Sequence, residues 1–298
     1  GYAATSPGAD AIAMGTTATA ATAGAIALGK NAVSSGTPTF TNFTYVQNWT
    51  GATIRSSQVI VDGATIALGT NSLASGATAA VAIASNATAT GETSIAIGGA
   101  SYASGRTGVA IGAGTLAAGD SALALGNTSW AAGDQSVAAG AGAYGQAAET
   151  VAIGKAAFAI GTGSIAVGSL AGVGSNTATN ASNISIGNAA GQTVTGSYNV
   201  ALGYQSGQTV SGLANTATGY QSGQTVSGSY NIANGYTAGQ IVSGNANSAY
   251  GYSAGQTVSG FGNNATGWDS GRNVTGNGNN ASGWDSGRQI LGNGNSAF

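Results

Sequence analysis

Chemistry has few places to reside in this chain. Among its 298 residues there is no Cys and no His, and there are eight carboxylates and six basic side chains. Thiol nucleophiles, imidazole acid–base catalysis and the usual zinc ligands are therefore absent. Two Gly-rich stretches are spelled like nucleotide loops. Gly140 to Gly145 read G-A-G-A-Y-G. Gly24 to Lys30 read G-A-I-A-L-G-K, with Asn31 where a phosphate loop places Ser or Thr for magnesium. Both motifs work only where a strand leads into a helix, and no helical pattern follows either. In a chain with 53 Gly such spellings arise by chance.

The charges that remain fall into columns. Glu92, Arg106, Asp120 and Asp134 follow one another at intervals of fourteen. The plain reading is a surface ladder of ion pairs, each worth about 0–1 kcal/mol. The sharper one has Asp120 and Asp134 holding a cation or ligand. The plain reading is preferred because exposed carboxylates are cheap to solvate. A second group is Trp268, Asp269 and Arg272, repeated as Trp284, Asp285 and Arg288 in two W-D-S-G-R copies. Arg over an indole face would be a cation–π arrangement. The group is either a reinforced turn or a sticky patch for protein or glycan. A third set, Phe40, Tyr45 and Trp49, lies in an irregular segment. These nine residues are the candidate ligand contacts. No carboxylate pair is set to face one cleft as glycoside hydrolysis requires, so enzyme activity ranks last and no cofactor or metal is expected.

The elements that must position these residues announce themselves by repetition. From Asn183 onward a pattern of sixteen recurs, N-x-A-x-G-[YW]-x-[SA]-G-[QR]-x-V-x-G. It sets up columns: Asn199 to Asn295, Ala201 to Ala297, Tyr204 to Trp284, Gln192 to Arg288, and Val194 to Ile290. Earlier, x-[VI]-A-[ILV]-G recurs at fourteen, with Gly at 98, 112, 126, 140, 154 and 168 and a second Gly seven residues after most copies. A strict short period is the mark of a solenoid in which each repeat is one coil. Val, Ile and Thr favour strands and Gly permits the positive φ of tight turns, so each repeat reads as two strands of about five residues and two turns. Roughly eighteen rungs at one strand spacing would extend on the order of 85 Å.

Such a rung is thin, and its strands carry apolar residues on both sides, as where Val151 and Ile153 flank Ala152. Apolar residues on both faces imply that both are covered. Ala, which does not vary down its column, is placed inside; its neighbours, which drift from Val200 and Leu202 to Asn264 and Thr266, are placed outside. The outer face then needs a partner, most simply identical chains side by side. The expected layout is fourteen-residue repeats at 1–36 and 65–168, an insert at 37–64 reading as a β-hairpin or longer excursion with a strand-like Gln58–Asp62, a transition at 169–182, and sixteen-residue repeats at 183–298. The two extra residues per rung are expected in a turn.

Composition limits the partners. The net charge is −2, and six basic residues cannot form a face for nucleic acid. Apolar content of 42% argues against disorder. No apolar run reaches the 18 residues of a membrane span. No charged leader opens the chain, and both ends fall within repeats, so it is expected to be a segment of a longer protein.

The repeats Thr93 to Gly98 and Ser164 to Gly168, with a Gly seven residues on, resemble the head domain of trimeric autotransporter adhesins, whose prototype is the Yersinia adhesin. The segment 37–64 resembles that family's head insert. The resemblance implies an all-β, left-handed parallel β-roll of 14- and 16-residue rungs in an intertwined homotrimer. It further implies extracellular display on a bacterial outer membrane, through a neck, stalk and C-terminal anchor that lie outside this sequence. Expected partners are two identical chains, and beyond them matrix proteins, host cells, other bacteria or abiotic surfaces. Two other readings stay open: a trimeric phage or viral fibre, to be told apart by flanking sequence, and an ice- or surface-binding solenoid. The last needs a regular Thr column, which Thr193, Thr209 and Thr225 begin and Ile241 and Asn273 interrupt.

Overall fold

The computed structural model describes residues 2–35, 43–49, 52–58, 65–76, 79–172 and 180–298. Every regular element among them is a β-strand. The chain is a parallel β-solenoid whose contacts divide it into two units, residues 1–128 and 129–298.

In the first unit, one face of the coil is built from Ile12–Met14, Ile26–Leu28, Ile66–Leu68, Val81–Ile83, Ile95–Ile97, Val109–Ile111 and Leu123–Leu125, each parallel to the next. The other face is built from two-residue strands, Thr19–Ala20, Val33–Ser34, Leu73–Ala74, Thr88–Ala89, Tyr102–Ala103 and Leu116–Ala117. Like pairs with like throughout, as in Ala96↔Ala110 and Ala103↔Ala117.

The strands have two or three residues, not the five expected from sequence, because the turns take the rest. Gly98 turns at φ +131° and Ala100 at +55°; Thr107 follows at +55° in the next half-rung. A Cβ on Gly98 would meet the carbonyl oxygen of Gly112 at 2.4 Å, so only Gly lets the rungs close to strand spacing here. Left-handed Ala and Thr each cost about 1–2 kcal/mol. Inter-rung hydrogen bonds offset this: the Ala100 N–H donates to Ser85 O (3.0 Å) and the Thr107 N–H to Glu92 O (2.7 Å). Buried Ser and Thr close other turns on the carbonyl three residues back, as Ser94 does to Gly91 (2.7 Å) and Thr115 to Gly112 (2.9 Å).

The central Ala of the strands fills the interior. Ala27, Ala67, Ala82, Ala96, Ala110 and Ala124 have no exposed surface, while the flanking Ile, Val and Leu are half-buried or exposed. The expected assignment of faces therefore holds. The insert is looped out of the stack, since Ile26–Leu28 pairs directly with Ile66–Leu68, and Val33–Ser34 with Leu73–Ala74. Within it, Phe43–Trp49 and Ala52–Gln58 form an antiparallel hairpin. Gln58, the first residue of the strand expected at Gln58–Asp62, lies in this hairpin; residues 59–62 lie outside the described residues.

In the second unit the coil has a pitch of fourteen through Val137–Ala139, Val151–Ile153 and Ile165–Val167. After a step of nineteen to Ile184–Ile186 the pitch becomes sixteen, up to Ser296–Ala297. The turn after the first strand grows from four residues, as at 154–157, to six, as at 203–208, while the second strand gains one residue and the following turn loses one. Expansion makes room for larger interior groups. Val194, Val210, Val226, Val242, Val258, Val274 and Ile290 form a buried column, facing the buried Ala201 to Ala281. Gly207 lies between them at φ +52°, where a Cβ would sit 2.9 Å from that of Ala201.

The remaining corner is a buried amide ladder. From Asn199 to Asn295, each backbone N–H donates to the Oδ1 of the Asn one rung earlier at 2.9–3.0 Å. From Asn183 to Asn279, each Nδ2 donates to the carbonyl of the Gly thirteen residues on at 2.7–3.0 Å. No buried side-chain nitrogen or oxygen among the described residues lacks a partner.

Candidate functional site

The sixteen-residue rung carries its most distinctive outward groups on one edge. Gly203 and its equivalents turn the chain at φ near +130°, and the residue that follows projects from the turn. Repetition then stacks six rings. Tyr204, Tyr220, Tyr236, Tyr252, Trp268 and Trp284 have centroid separations of 5.3, 4.9, 4.9, 4.1 and 5.2 Å, with planes within 10° of parallel. They remain 40–46% exposed, and Trp284 76%. Ring faces are engaged with one another, so the column presents edges and hydroxyls to solvent. Such pairs contribute about 0.5–1.5 kcal/mol each beyond buried area.

Asp269 and Asp285 occupy the left-handed position next to the Trp residues, at φ +52° and +55°, where Gln205, Gln221, Thr237 and Ser253 stand in earlier rungs. Each Asp pairs with the Arg three residues on: Arg272 Nε lies 3.9 Å from Asp269 Oδ1, and Arg288 pairs likewise with Asp285. Arg272 Nε also donates to Gln256 Oε1 (3.3 Å), extending the Gln column. Trp268 has rings on both faces, Tyr252 and Trp284, so the Arg272 guanidinium meets carboxylate and amide rather than indole. The structure thus brings together Trp268, Asp269, Arg272, Trp284, Asp285 and Arg288 on one edge, while the cation–π geometry expected for the first of these Trp residues is replaced by ring stacking.

Of the insert candidates, Tyr45 and Trp49 lie in the hairpin strand opposite Ser56 and Ala52; Phe40 lies outside the described residues. In the charged column, Arg106 NH2 is 3.7 Å from Asp120 Oδ2, both side chains more than half exposed, and the Arg106 N–H donates to Asp120 Oδ1 (2.9 Å). Both nucleotide-loop spellings are rungs: Ile26–Leu28 and Tyr144–Gly145 are strands. A cavity lined by Phe158, Ile160, Asn180 and Asn183 measures about 10 Å³, room for at most one water.

Sequence reasoning recognised the Asn column but not its burial. Its signal was present: an amide that is never exchanged for Ser or Asp beside an invariant Ala needs both its donor and its acceptor.

The opposite face of the rung bears two outward columns on either side of the buried Val. One reads Thr193, Thr209, Thr225, Ile241, Thr257, Asn273, Gln289; the other reads Thr195, Ser211, Ser227, Ser243, Ser259, Thr275, Leu291. The interruptions expected in the first column are there, and the second carries hydroxyls for six rungs.

Comparison with protein families now bears on this geometry. The model described as YadA head domain repeat (2 copies) matches residues 6–32, 89–115, 117–143 and 147–171. Those four segments are similar to YadA head repeats. The matched segments cover about a third of the chain, and all lie where the pitch is fourteen. The similarity supports an adhesin-type head for these segments. No curated protein matches the chain. In the YadA-type repeats the Ala-centred strand makes the interior, as in Ala110 and Ala138, and the sixteen-residue rungs keep that strand while widening the coil.

Proposed function

We infer that the chain is the non-catalytic head of a homotrimeric adhesin, displayed outside the cell on a bacterial outer membrane by segments beyond this sequence. The observation that carries the reading is the outward apolar stripe. Ile95, Ile97, Val109, Ile111, Leu123 and Leu125 flank an interior only one Ala deep, and large contiguous apolar surface on a soluble rung marks an interface. Two sister chains would cover it. In this reading residues 1–36 and 65–168 are head repeats, 37–64 the insert, 169–182 a transition and 183–298 the wider repeats.

Attachment would be multivalent: weak patches, three to an assembly and repeated by rung, raise avidity without a deep pocket. The Trp268–Arg288 edge and the insert aromatics Phe40, Tyr45 and Trp49 are the patches. Targets are matrix proteins, host cells, other bacteria or abiotic surfaces, not nucleic acid. Light scattering of the purified chain tests the assembly: a mass of three chains is expected, and a stable monomer would end the argument. Binding to a panel of immobilised matrix proteins and cells tests the adhesion.

A second reading, an ice- or surface-binding solenoid, draws support from the paired hydroxyl columns Thr193–Thr257 and Thr195–Thr275. Thermal hysteresis in wild-type solution, lost on Thr225→Lys, is its test.

A further inference from the structure

The stacked edge holds four consecutive phenols, Tyr204, Tyr220, Tyr236 and Tyr252, at centroid separations of 5.3, 4.9 and 4.9 Å. All four are 40–46% exposed, so a small oxidant reaches them. We propose that this column is an oxidative cross-linking site, in which hydrogen peroxide and a one-electron peroxidase join phenols of successive rungs as dityrosine.

The step balances. Each of two neighbouring phenols gives up one electron and one proton, leaving two phenoxyl radicals. The radicals couple through ring carbons ortho to oxygen, forming one C–C bond. The two ortho hydrogens then shift to oxygen and restore both aromatic rings. Per link the chain loses two hydrogens, and one peroxide is reduced to two waters.

Radical coupling needs two phenols held together before either radical is quenched, and the column supplies that arrangement without rearranging the backbone. Neighbours share one turn position on adjacent rungs, so their backbones are about one strand spacing, ~4.8 Å, apart. The other tyrosines whose side chains are described have no phenol at the same position on an adjacent rung. Tyr198 and Tyr230, both 64% exposed, occupy one column but have Ala214 on the rung between, about twice that spacing apart. Tyr144 stacks on Phe158 and meets Trp130 edge-on, neither of which is a phenol. The structure therefore predicts selectivity. Links form at Tyr204–Tyr220, Tyr220–Tyr236 or Tyr236–Tyr252, up to three per chain because each phenol has two ortho carbons. The consequence is a covalent staple between rungs under oxidising conditions.

The test is treatment of the full chain with hydrogen peroxide and horseradish peroxidase. Dityrosine fluorescence, intact mass, denaturing gels and peptide mapping read the outcome. Expected are a loss of two hydrogens per link, an unchanged single-chain band, and linked peptides from adjacent column positions. Tyr236→Phe keeps the ring and lowers the ceiling from three links to one, Tyr204–Tyr220. The double variant Tyr220→Phe, Tyr252→Phe removes every adjacent phenol pair and should abolish the intrachain product. Links chiefly between chains, links through Tyr198 or Tyr230, an undiminished product in the double variant, or no dityrosine at all would each overturn the proposal.

Discussion

Asn247 offers the sharpest test of what holds the wider rungs together. It is 1% exposed. Its N–H donates to Asn231 Oδ1 (3.0 Å), and its Nδ2 donates to Gly260 O (2.9 Å) and more weakly to Asn231 Oδ1 (3.2 Å). Its Oδ1 accepts from the backbone N–H and the Nδ2 of Asn263, both at 3.0 Å. Asn247→Ala strands the Asn263 N–H and the Gly260 carbonyl together, each a buried group whose lost partner costs about 1–3 kcal/mol. The sum is on the order of 2–5 kcal/mol, since a single interior water could recover part of it. Asn247→Asp keeps the acceptor for Asn263 but turns a donor into an acceptor facing Gly260 O and Asn231 Oδ1. A buried charge against two acceptors costs more than a truncation, so Asp should be worse than Ala at neutral pH. Burial beside acceptors raises the folded-state pKa of that carboxyl above its unfolded value. The penalty is then absent at pH low enough to protonate both states, and grows as pH climbs past the ordinary carboxylate range. Thermal and urea unfolding across pH, with hydrogen exchange at Asn263 as a local probe, measure this. Asn247→Ala within 0.5 kcal/mol of wild type, or Asp and Ala variants that behave alike at every pH, would refute the ladder as a source of stability.

Three further outcomes follow from the stack. Gly98→Ala places a Cβ 2.4 Å from Gly112 O at φ +131°, and should cost on the order of 3 kcal/mol, seen as a lowered midpoint in chemical denaturation. Ala233→Leu overfills an interior that leaves Ala233 1% exposed, and should destabilise by about 1–3 kcal/mol in the same assay while leaving the opposite face soluble. Deletion of residues 37–62 restores the fourteen-residue step between rungs already paired through Ile26↔Ile66; circular dichroism and solution mass should be unchanged, and reduced binding to a target would place recognition in the insert.

The coil was legible because its causes are periodic. Ala columns, Gly at fixed steps and β-branched neighbours specify stacked strands, and the interior could be told from the exterior by which column varied. Strand length was not legible. It depends on non-Gly residues such as Ala100, Thr107 and Ser121 sitting at φ near +55°, a conformation their side chains disfavour and only the inter-rung hydrogen bonds enforce. The aromatic column was visible as spacing, yet whether its rings would lie flat on one another or splay to receive Arg272 depends on side-chain rotamers, on which a repeat is silent. Burial of the Asn column follows from geometry spanning neighbouring rungs, since each amide is satisfied partly by the rung before it and partly by the Gly that opens the corresponding turn one rung on.

Repetition also separates what stabilises a rung from what it can recognise. In the second unit the inward residues hardly change: Ala201 to Ala281, Val194 to Val274, Asn199 to Asn279. The outward residues of the facing strand do change, from Ile184 and Ile186 through Thr216 and Thr218 to Asn280 and Ser282, with Ile232 and Tyr250 as apolar exceptions on the way. Apolar area on that face is therefore smaller at the end of the chain than at Ile184, and the hydrophobic drive for any apolar partner to cover it, about 25 cal/mol per Å² buried, is smaller with it. Where that face turns polar, Asn264 Nδ2 donates to Asn280 Oδ1 (3.0 Å), satisfying amides that an apolar contact would have left unpaired. In the same stretch the aromatic edge changes from Tyr to Trp and gains its Asp–Arg pairs. One set of rungs presents an apolar outer face and the next a polar one beside a charged, aromatic edge, with the same Ala, Val and Asn interior serving both.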